Sequence, residues 1–354
     1  MNKIEQLSEQ AIELLKKLIS TRSYSGEEDE TAMLLSNVLE EFGFTPKRKG
    51  NNVWAWSGKT DSEKPTLMLN SHHDTVKASS KWTKDPFTPT FDNNQMFGLG
   101  SNDAGGPLVS LLAAFIYLSQ QEQPYNLVFL ASAEEETSGK NGVPIVLPEL
   151  GKIDLAIVGE PTSMELAIAE RGLIVLDCVA HGESGHAARN EGENALYKAM
   201  DDIHWFRTFH FEKGSEVLGE INMTVTMIEG GSQHNVVPDE CRFVVDVRPN
   251  EFYSNEEVID IIRNHVDCEI TPRSTNLNAS GISTEHPVVR KGEKLGIKAY
   301  GSKTMSDQVH MPFNSVKIGP GNTRRSHTAD EFIYLDEIRE GIKTYIELLD
   351  NLQI

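Results

Sequence analysis

Five side chains in this sequence are of the types that bind divalent metal ions in hydrolases. They comprise two imidazoles and three carboxylates, at His72, Asp103, Glu136, Glu160 and His327. Zinc binds imidazole nitrogen and carboxylate oxygen, and a catalytic zinc site leaves one position open for water. Two ions about 3.5–4 Å apart can share one bridging carboxylate. Because such a pair needs at least two histidines and three carboxylates, these residues suit a dinuclear metal site.

Three of these residues follow predicted core strands. The apolar run 66–70 leads to His72, residues 126–133 lead to the glutamates 134–136, and residues 154–159 lead to Glu160. Apolar strands that alternate with helical segments indicate a largely parallel sheet, and therefore an α/β fold. Ligands gather outside the carboxyl ends of the strands in such sheets, so we expect these side chains at one edge. The stretch 79–97 has no regular pattern and is predicted to be a loop.

Each residue also has an ordinary structural interpretation. A single histidine is more often a hydrogen-bonded core residue, and Asp103 could cap the helix that follows it. The glutamates 134–136 could form a solvated loop, and Glu160 could be a turn carboxylate before Pro161. These interpretations are the simpler ones individually, but the shared position after core strands favours a common site.

Composition and charge exclude several classes of protein. The chain has 354 residues, enough for one large or two ordinary domains, and a formal net charge of −20, which disfavours nucleic acid as a partner. No apolar run is long enough to span a membrane. Residues 1–18 have apolar residues at helical spacing mixed with charged ones, which indicates an amphipathic helix and not a signal peptide. An odd count of three cysteines suits a reducing cytoplasm.

The pattern of elements changes after Arg171-Gly172. The order becomes strand, helix, strand, strand, helix, strand, over residues 173–180, 194–209, 221–228, 241–247, 254–265 and 268–272. This order is typical of a ferredoxin-like domain. We therefore predict a catalytic domain formed by residues 1–172 and 285–354, with a second domain inserted at 173–284.

The motifs along the chain resemble those of one family. They are, in order, Ser71-His72-His73-Asp74, Gly98-x-Gly100-x-x-Asp103, Glu135-Glu136, Gly159-Glu160-Pro161-Thr162, Glu170-Arg171-Gly172, Gly185-His186, Asn235-Val236-Val237-Pro238, Asp246-Val247-Arg248, and Gly319-Pro320-Gly321 with His327 and Glu331. The set resembles the M20 family of dinuclear zinc peptidases and deacylases, in the branch of acetylornithine deacetylase and succinyl-diaminopimelate desuccinylase. Leu99 and the sequence Asp103-Ala104-Gly105-Gly106 depart from the family pattern and weaken the assignment to a branch.

The resemblance implies a fold and a ligand set. The fold would be a zinc-exopeptidase-like catalytic domain with a mainly parallel mixed sheet, plus a ferredoxin-like lid that forms a homodimer. Asp103 would bridge two Zn²⁺ ions, for which Co²⁺ is a possible substitute. His72 and Glu160 would complete one metal site, and Glu136 and His327 would complete the other.

The resemblance also implies catalytic roles. Glu135 would be the general base, although three consecutive glutamates leave its register open by one residue. Asp74 would orient His72, and His73 is interpreted as structural. His186, otherwise a surface loop histidine, would reach the partner subunit's active site and stabilise the oxyanion.

The resemblance, together with charge, also points to residues that would bind substrate. They are Arg171, Asn235 and Arg248, of which Arg248 could instead form a salt bridge at a strand end. Arg189 and Arg324 are cationic candidates for the carboxylate of a succinyl group. The expected reaction is hydrolysis of N-acetyl-L-ornithine or N-succinyl-L-ornithine to L-ornithine in cytoplasmic arginine biosynthesis.

Three alternatives remain at this point. A succinyl-diaminopimelate desuccinylase or a dipeptidase would share every metal motif. A non-catalytic metal-binding homologue would have no need of Glu135. A dinucleotide-binding interpretation of Gly98-x-Gly100 is weak, because Asp103 occupies the place of the third glycine.

Overall fold

A computed structural model describes residues 2–189 and 191–354 of the chain. The helices are α1 Lys3–Ser20, α2 Asp29–Glu41, α3 Gly106–Leu118, α4 Val143–Leu150, α5 Ala195–Thr208, α6 Asn255–Arg263, α7 Pro287–Lys294 and α8 Leu335–Leu349. The strands are β1 Lys47–Lys49, β2 Asn52–Trp56, β3 Thr66–His72, β4 Thr90–Asp92, β5 Gln95–Phe97, β6 Asn126–Ser132, β7 Leu155–Val158, β8 Leu166–Glu170, β9 Ile174–His181, β10 Gly185–His186, β11 Asn222–Gly230, β12 Val236–Val237, β13 Glu240–Arg248, β14 Glu269–Pro272, β15 Ser280–Gly281, β16 Ala299–Ser302, β17 Ser315–Lys317 and β18 Phe332–Tyr334.

The chain divides into two compact units. The first runs up to Ile168 and takes in Gly281–Tyr300 and Ser306–Ile354. The second comprises Ala169–Ser280 and Gly301–Met305. The predicted domain boundaries at 172/173 and 284/285 stay a prediction.

A nine-stranded mixed sheet runs through the first unit. Its strand order is β1-β2-β6-β3-β7-β17-β8-β15, with β16 also paired to β8. The strands β6, β3, β7 and β17 run parallel to their neighbours within that group, whereas β2 is antiparallel to β6 and β8 is antiparallel to β17. This architecture confirms the predicted α/β class.

Apolar helices cover the sheet of the first unit. The helix α3 is buried almost all round, and it packs against both α1 and α8. The helix α1 is amphipathic and begins with a capping box in which Asn2 and Glu5 satisfy each other's backbone N–H groups. Each Leu, Ile or Phe buried in this way contributes about 1.5–3 kcal/mol, so the sheet ends are held by a rigid core.

The second unit has its own sheet and core. Its four-stranded antiparallel sheet has the order β11-β13-β9-β14, and α5 and α6 share its apolar core. Burial alternates along β9 and β13, as in a sheet with one covered face. The order of the main elements agrees with the predicted ferredoxin-like pattern, and α6 begins at the predicted capping box of Ser254 and Glu257.

The loop prediction for residues 79–97 was partly wrong. The strands β4 and β5 form a hairpin there, and β18 adds a third strand from the end of the chain. Asn93 turns the hairpin with a φ of +52°. Each strand has only three residues, which is too short for an alternating pattern to appear in the sequence.

Cys178, Cys241 and Cys268 are buried free thiols. Within the two described stretches, no helix is both long and apolar enough to cross a membrane.

Candidate metal centre

The parallel strands β6, β3 and β7 bring three predicted ligands to one edge of the sheet. The strand β3 lies between the other two, and its last residue, His72, is opposite Ser132 at the end of β6. The chain continues from β6 to Glu136 and from β7 to Glu160. Because the three strands are parallel, their carboxyl ends lie together.

Asp103 lies between two groups of potential ligands. Its Oδ1 atom is 3.3 Å from His72 Nε2, and its Oδ2 atom is 3.8 Å from His327 Nε2. His72 Nε2 is 3.8 Å from Glu160 Oε1, and His327 Nε2 is 2.9 Å from Glu136 Oε2. Each group therefore contains one imidazole, one further carboxylate and a share of Asp103. The donor atoms of each group lie within 4.8 Å of one another.

The electrostatics of the cluster suit bound cations. Burial raises the pKa of Glu135 and of Glu160 well above the usual range, and neighbouring carboxylates raise both further against the opposing charge of His72. Burial by itself would lower the pKa of His72, but Glu135 and other acids around it raise that pKa well above its ordinary value. Carboxylates held this close and away from water are costly unless a positive charge compensates them. The donor set of imidazoles and carboxylates fits zinc or a similar ion.

Asp74 positions both His72 and the glutamates. Its Oδ1 atom accepts a hydrogen bond from Glu135 N at 3.1 Å, and Oδ2 accepts one from Glu136 N at 3.2 Å. Ser25 Oγ donates to Oδ2 at 2.7 Å. His72 Nδ1 is 3.0 Å from the Asp74 carbonyl oxygen and 3.4 Å from Oδ1. One carboxylate thus fixes an imidazole and the backbone of the glutamate turn.

Glu331 holds the loop that carries Asp103. Its carboxylate accepts hydrogen bonds from the backbone N–H groups of Gly100, Asn102 and Asp103 at 3.3, 2.8 and 2.9 Å. Burial raises the pKa of Glu331 to about 8, and the charge of Asp103 contributes to the rise. Gly100 has a φ of +73°, and a Cβ there would lie 2.6 Å from Thr75 Cγ2, so the turn requires glycine. Glu331 belongs to the last motif of the sequence, but the motif alone assigns it no role.

Asp307 lies next to the site, although no motif in the sequence pointed to it. Its Oδ2 atom accepts a hydrogen bond from Ser132 Oγ at 2.5 Å, directly behind the end of β6. Burial raises the pKa of Asp307 to about 6, and the neighbouring Asp74 adds to the effect against the opposing contributions of Ser132 and His72. Asp307 lies in a short 3₁₀ turn, Asp307–His310, without a strand or helix pattern before it. Its position was therefore not readable from periodicity.

His73 has the structural role predicted for it. Its Nδ1 atom is 2.9 Å from Thr31 Oγ1, and Nε2 is 2.9 Å from the Asn51 carbonyl oxygen. Burial lowers its pKa to about 4. Because both ring nitrogens are engaged, the side chain is not available as a metal ligand.

The remaining predicted site residues, apart from Arg324, belong to the second unit. His186 lies on β10, which pairs with β12, and the Ala187 N–H donates to the Asn235 carbonyl oxygen at 3.1 Å. The structure thus brings His186 and Asn235 together. His186 is exposed, and its Nδ1 atom accepts a hydrogen bond from Ala188 N at 3.2 Å.

The arginines have different surroundings. Arg248 forms a bidentate ion pair with Asp246 at 2.7 and 3.0 Å, which matches the alternative interpretation of a strand-end salt bridge. Arg171 donates to the backbone carbonyls of Leu218, Glu220 and Arg248. These bonds indicate a role in folding the second unit, and the predicted contact of either arginine with substrate stays a prediction.

Arg189 and Arg324 are both exposed. Arg189 Nη1 lies 3.9 Å from Glu191 Oε1, in the second unit. Arg324 lies in the first unit, in the turn Thr323–Arg325 shortly before His327. The neighbouring Arg325, by contrast, is bound to both carboxylate oxygens of Glu337 at 2.7 and 2.6 Å.

Comparison with known proteins identifies the family. The sequence profile of peptidase family M20/M25/M40 matches residues 68–351, which is most of the chain. The chain belongs to this family. It is accordingly a metal-dependent hydrolase, as the motifs predicted.

Relatives with assigned names are similar over most of their length. A succinyl-diaminopimelate desuccinylase of Ehrlichia ruminantium (strain Gardel) is 28% identical over 284 residues, 74% of this chain and 73% of that protein. A [LysW]-lysine/[LysW]-ornithine hydrolase of Sulfurisphaera tokodaii is 26% identical, covering 98% and 97%. An acetylornithine deacetylase of Proteus mirabilis is 28% identical, covering 95% and 96%.

Solved structures share the fold. The aminopeptidase PepT from Bacillus cereus superposes with a TM-score of 0.74 at 17% identity, covering 97% of this chain and 98% of that one. A dinuclear metal-binding peptidase of family M20 from Bacillus subtilis superposes with a TM-score of 0.73 at 14% identity, covering 98% of each chain.

The position of Asp74 predicts a measurable effect on metal binding. In Asp74→Asn, the amide NH₂ group replaces an acceptor of the Glu135 and Glu136 N–H groups, so ligand orientation is lost. We expect metal affinity to fall about 10–100-fold. Competition with a chromogenic chelator measures it, and Asp85→Asn, at an exposed turn, is the matched control. Equal affinities in the two variants would contradict the positioning role of Asp74.

Proposed function

We propose that the protein hydrolyses the amide bond of an N-acyl amino acid at a dinuclear centre, with zinc as the native metal and cobalt as a possible substitute. The observation that carries this proposal is the sharing of Asp103 between two ligand groups, next to a carboxylate that belongs to neither. That carboxylate is Glu135, whose Oε2 atom lies 3.9 Å from His72 Nε2. His72, Asp103 and Glu160 would hold one ion, and Asp103, Glu136 and His327 the other.

Glu135 is the proton carrier in this proposal. When bound, the two ions would polarise the amide carbonyl and lower the pKa of an attacking water. Glu135 accepts a proton from that water as the oxygen attacks the carbonyl carbon. It then donates the proton to the amide nitrogen as the C–N bond breaks. Glu135 lies beside the ligand His72 and belongs to neither ligand group, so its carboxylate is available for this transfer.

His186 is suited to donate a hydrogen bond to the developing oxyanion. Its Nδ1 atom accepts the Ala188 N–H, so the neutral imidazole carries its proton on Nε2. The Nε2–H group is therefore a donor on an exposed ring. By its resemblance to the family, His186 would act in the partner subunit's active site.

Ornithine as the product has support among the relatives. The names of the acetylornithine deacetylase and of the [LysW]-lysine/[LysW]-ornithine hydrolase both include it, whereas two further relatives are succinyl-diaminopimelate desuccinylases. We therefore propose N-acetyl-L-ornithine or N-succinyl-L-ornithine as the substrate, in arginine biosynthesis. Three free thiols are consistent with a cytoplasmic location. A hydrolysis panel that includes succinyl-diaminopimelate and dipeptides tests this choice, and preferential turnover of either of those would replace it.

The order of the glutamates gives a direct test of the mechanism. Glu135→Gln removes the proton carrier and should lower kcat by about 10²–10⁴-fold, with metal content unchanged. Glu134→Gln is the control, because the Glu134 carboxylate instead binds Asn141 N and Nδ2 at 3.1 and 2.9 Å. If Glu135→Gln turns over at the wild-type rate and Glu134→Gln loses activity, the general base is Glu134 instead.

A succinyl substrate needs a cation for its second carboxylate. We propose Arg189 and Arg324 for this role, since both are exposed on a very acidic protein. Arg189→Ala or Arg324→Ala should lower the ratio of kcat/KM for the succinyl over the acetyl substrate about tenfold, as expected for a charged hydrogen bond. Arg263→Ala, at another exposed arginine, is the control. An unchanged ratio in both variants would exclude these arginines.

We also propose that two copies associate through the second unit. The strand β11 is an edge strand, and Met227 and Ile228 on it are 65% and 56% exposed. Tyr197 and Met200 on the adjacent helix α5 are 67% and 60% exposed. An exposed edge with apolar side chains favours pairing with another chain.

Charge on this edge should dissociate the dimer. The double variant Met227→Lys/Ile228→Lys should sediment as a monomer, because two like charges would meet in the paired edge. Met33→Lys, at an exposed methionine of the first unit, is the control and should stay dimeric. A monomeric wild-type protein at micromolar concentration would refute the proposal.

A further inference from the structure

A basic cleft lies in the second unit, although the chain as a whole has a net charge of −20. The cleft has a volume of about 500 Å³. Its lining includes four cationic side chains, Arg171, Arg207, Arg248 and Lys303. The single acid that lines it among the described residues is Glu220, whose Oε2 atom is 2.8 Å from His210 Nδ1. The cleft therefore carries an excess of positive charge.

The four cations are not equally compensated. Asp246 neutralises Arg248 in a bidentate ion pair. Arg171 is fixed by three backbone carbonyls, which satisfy its N–H groups without neutralising its charge. Burial lowers the pKa of the Arg171 guanidinium; the charge of Glu251 opposes this shift, and that of Arg248 adds to it. An anion in addition to Glu251 would therefore be stabilised close to the Arg171 guanidinium.

Arg207 and Lys303 are the free cations of the cleft. Both side chains are exposed, and neither forms an ion pair with any residue in the described parts of the chain. Arg207 lies in the last turn of α5, where the negative end of the helix dipole favours a positive charge. The dipole of α5 does not explain the position of Lys303, which comes from a distant segment of the chain. Both side chains therefore leave an uncompensated positive charge on the lining of one cleft, and an anion bound there would be attracted to both.

An apolar wall completes the cleft. Phe206, Phe209, Ile221 and Met223 belong to the lining, and Phe206 is buried. A short methylene chain can pack on this wall while carboxylates at its two ends meet cations. A volume of this size is within the usual range of small-molecule sites, about 300–1,000 Å³.

We propose that this cleft binds a small dicarboxylate with a short apolar spacer, with Arg207 and Lys303 as its principal ionic contacts. The ligand is a free dicarboxylate, so the proposal does not depend on the deacylase function.

Calorimetric titration of the metal-loaded full chain tests the proposal. Succinate is titrated into the wild-type chain, into Arg207→Ala/Lys303→Ala, and into the control Arg263→Ala. We expect succinate affinity to fall at least tenfold in the double variant and to change less than twofold in the control. Charge reversal in Arg207→Glu/Lys303→Glu should abolish succinate binding. Acetate, with one carboxylate, should bind at least tenfold more weakly than succinate.

Succinate binding that is absent, or that is the same in all variants, overturns the proposal. No turnover is measured, so this result is independent of the hydrolysis panel.

Discussion

The concentration of carboxylates at the carboxyl end of β3 is the constraint on which the first unit depends. Asp103, Glu135 and Glu160 lie around one buried imidazole, His72, and Asp103 also belongs to a second group with Glu136 and His327. In water, these acids would be ionised and apart. Within the fold, burial and mutual repulsion raise the pKa of Glu135 and Glu160. Bound divalent cations relieve this repulsion, so metal binding and the stability of this region are coupled.

The fold meets this constraint with backbone hydrogen bonds as well as with metal ligands. Asp74 and Glu331 are themselves acids, yet both accept N–H groups from the segments that carry the ligands. Hydrogen bonds from backbone N–H groups stabilise a carboxylate without adding a competing side chain. The two residues fix the glutamate turn and the Asp103 loop respectively. The ligand geometry is therefore set by the protein before a metal arrives.

The features that could be predicted from the sequence are those marked by a periodic pattern of apolar residues. His72, Glu136 and Glu160 come after buried parallel strands, and strand order alone brings such positions together. The second unit was also predictable, because its strands alternate between buried and exposed residues. Asp103 and His327 lie in loops, and only their residue types and the motif order pointed to them.

What the sequence did not predict depends on contacts between distant segments. Asp307 lies in a four-residue turn, and its contact with Ser132 spans 175 positions. The three-stranded sheet of β4, β5 and β18 joins residues 90–97 to residues 332–334. The guanidinium of Arg171 binds backbone carbonyls, which no side-chain motif can reveal. In each case the contact joins separate segments of the chain, and the sequence around one partner does not identify the other.

The chain order of the ligands has a consequence for folding. Four of the five potential ligands precede the second unit, and His327 follows it, 191 positions after its partner Glu136. The entropy of closing a loop grows only slowly with its length, so an inserted unit that folds by itself adds little to that cost. The separate core of the second unit meets this condition. His327 also has a φ of +58°, a conformation that L-residues rarely adopt, so the loop around it must be held by its neighbours. The ion pair of Arg325 with Glu337 supplies that support from α8. The second ligand group is therefore complete only when the last helix has packed on the first unit.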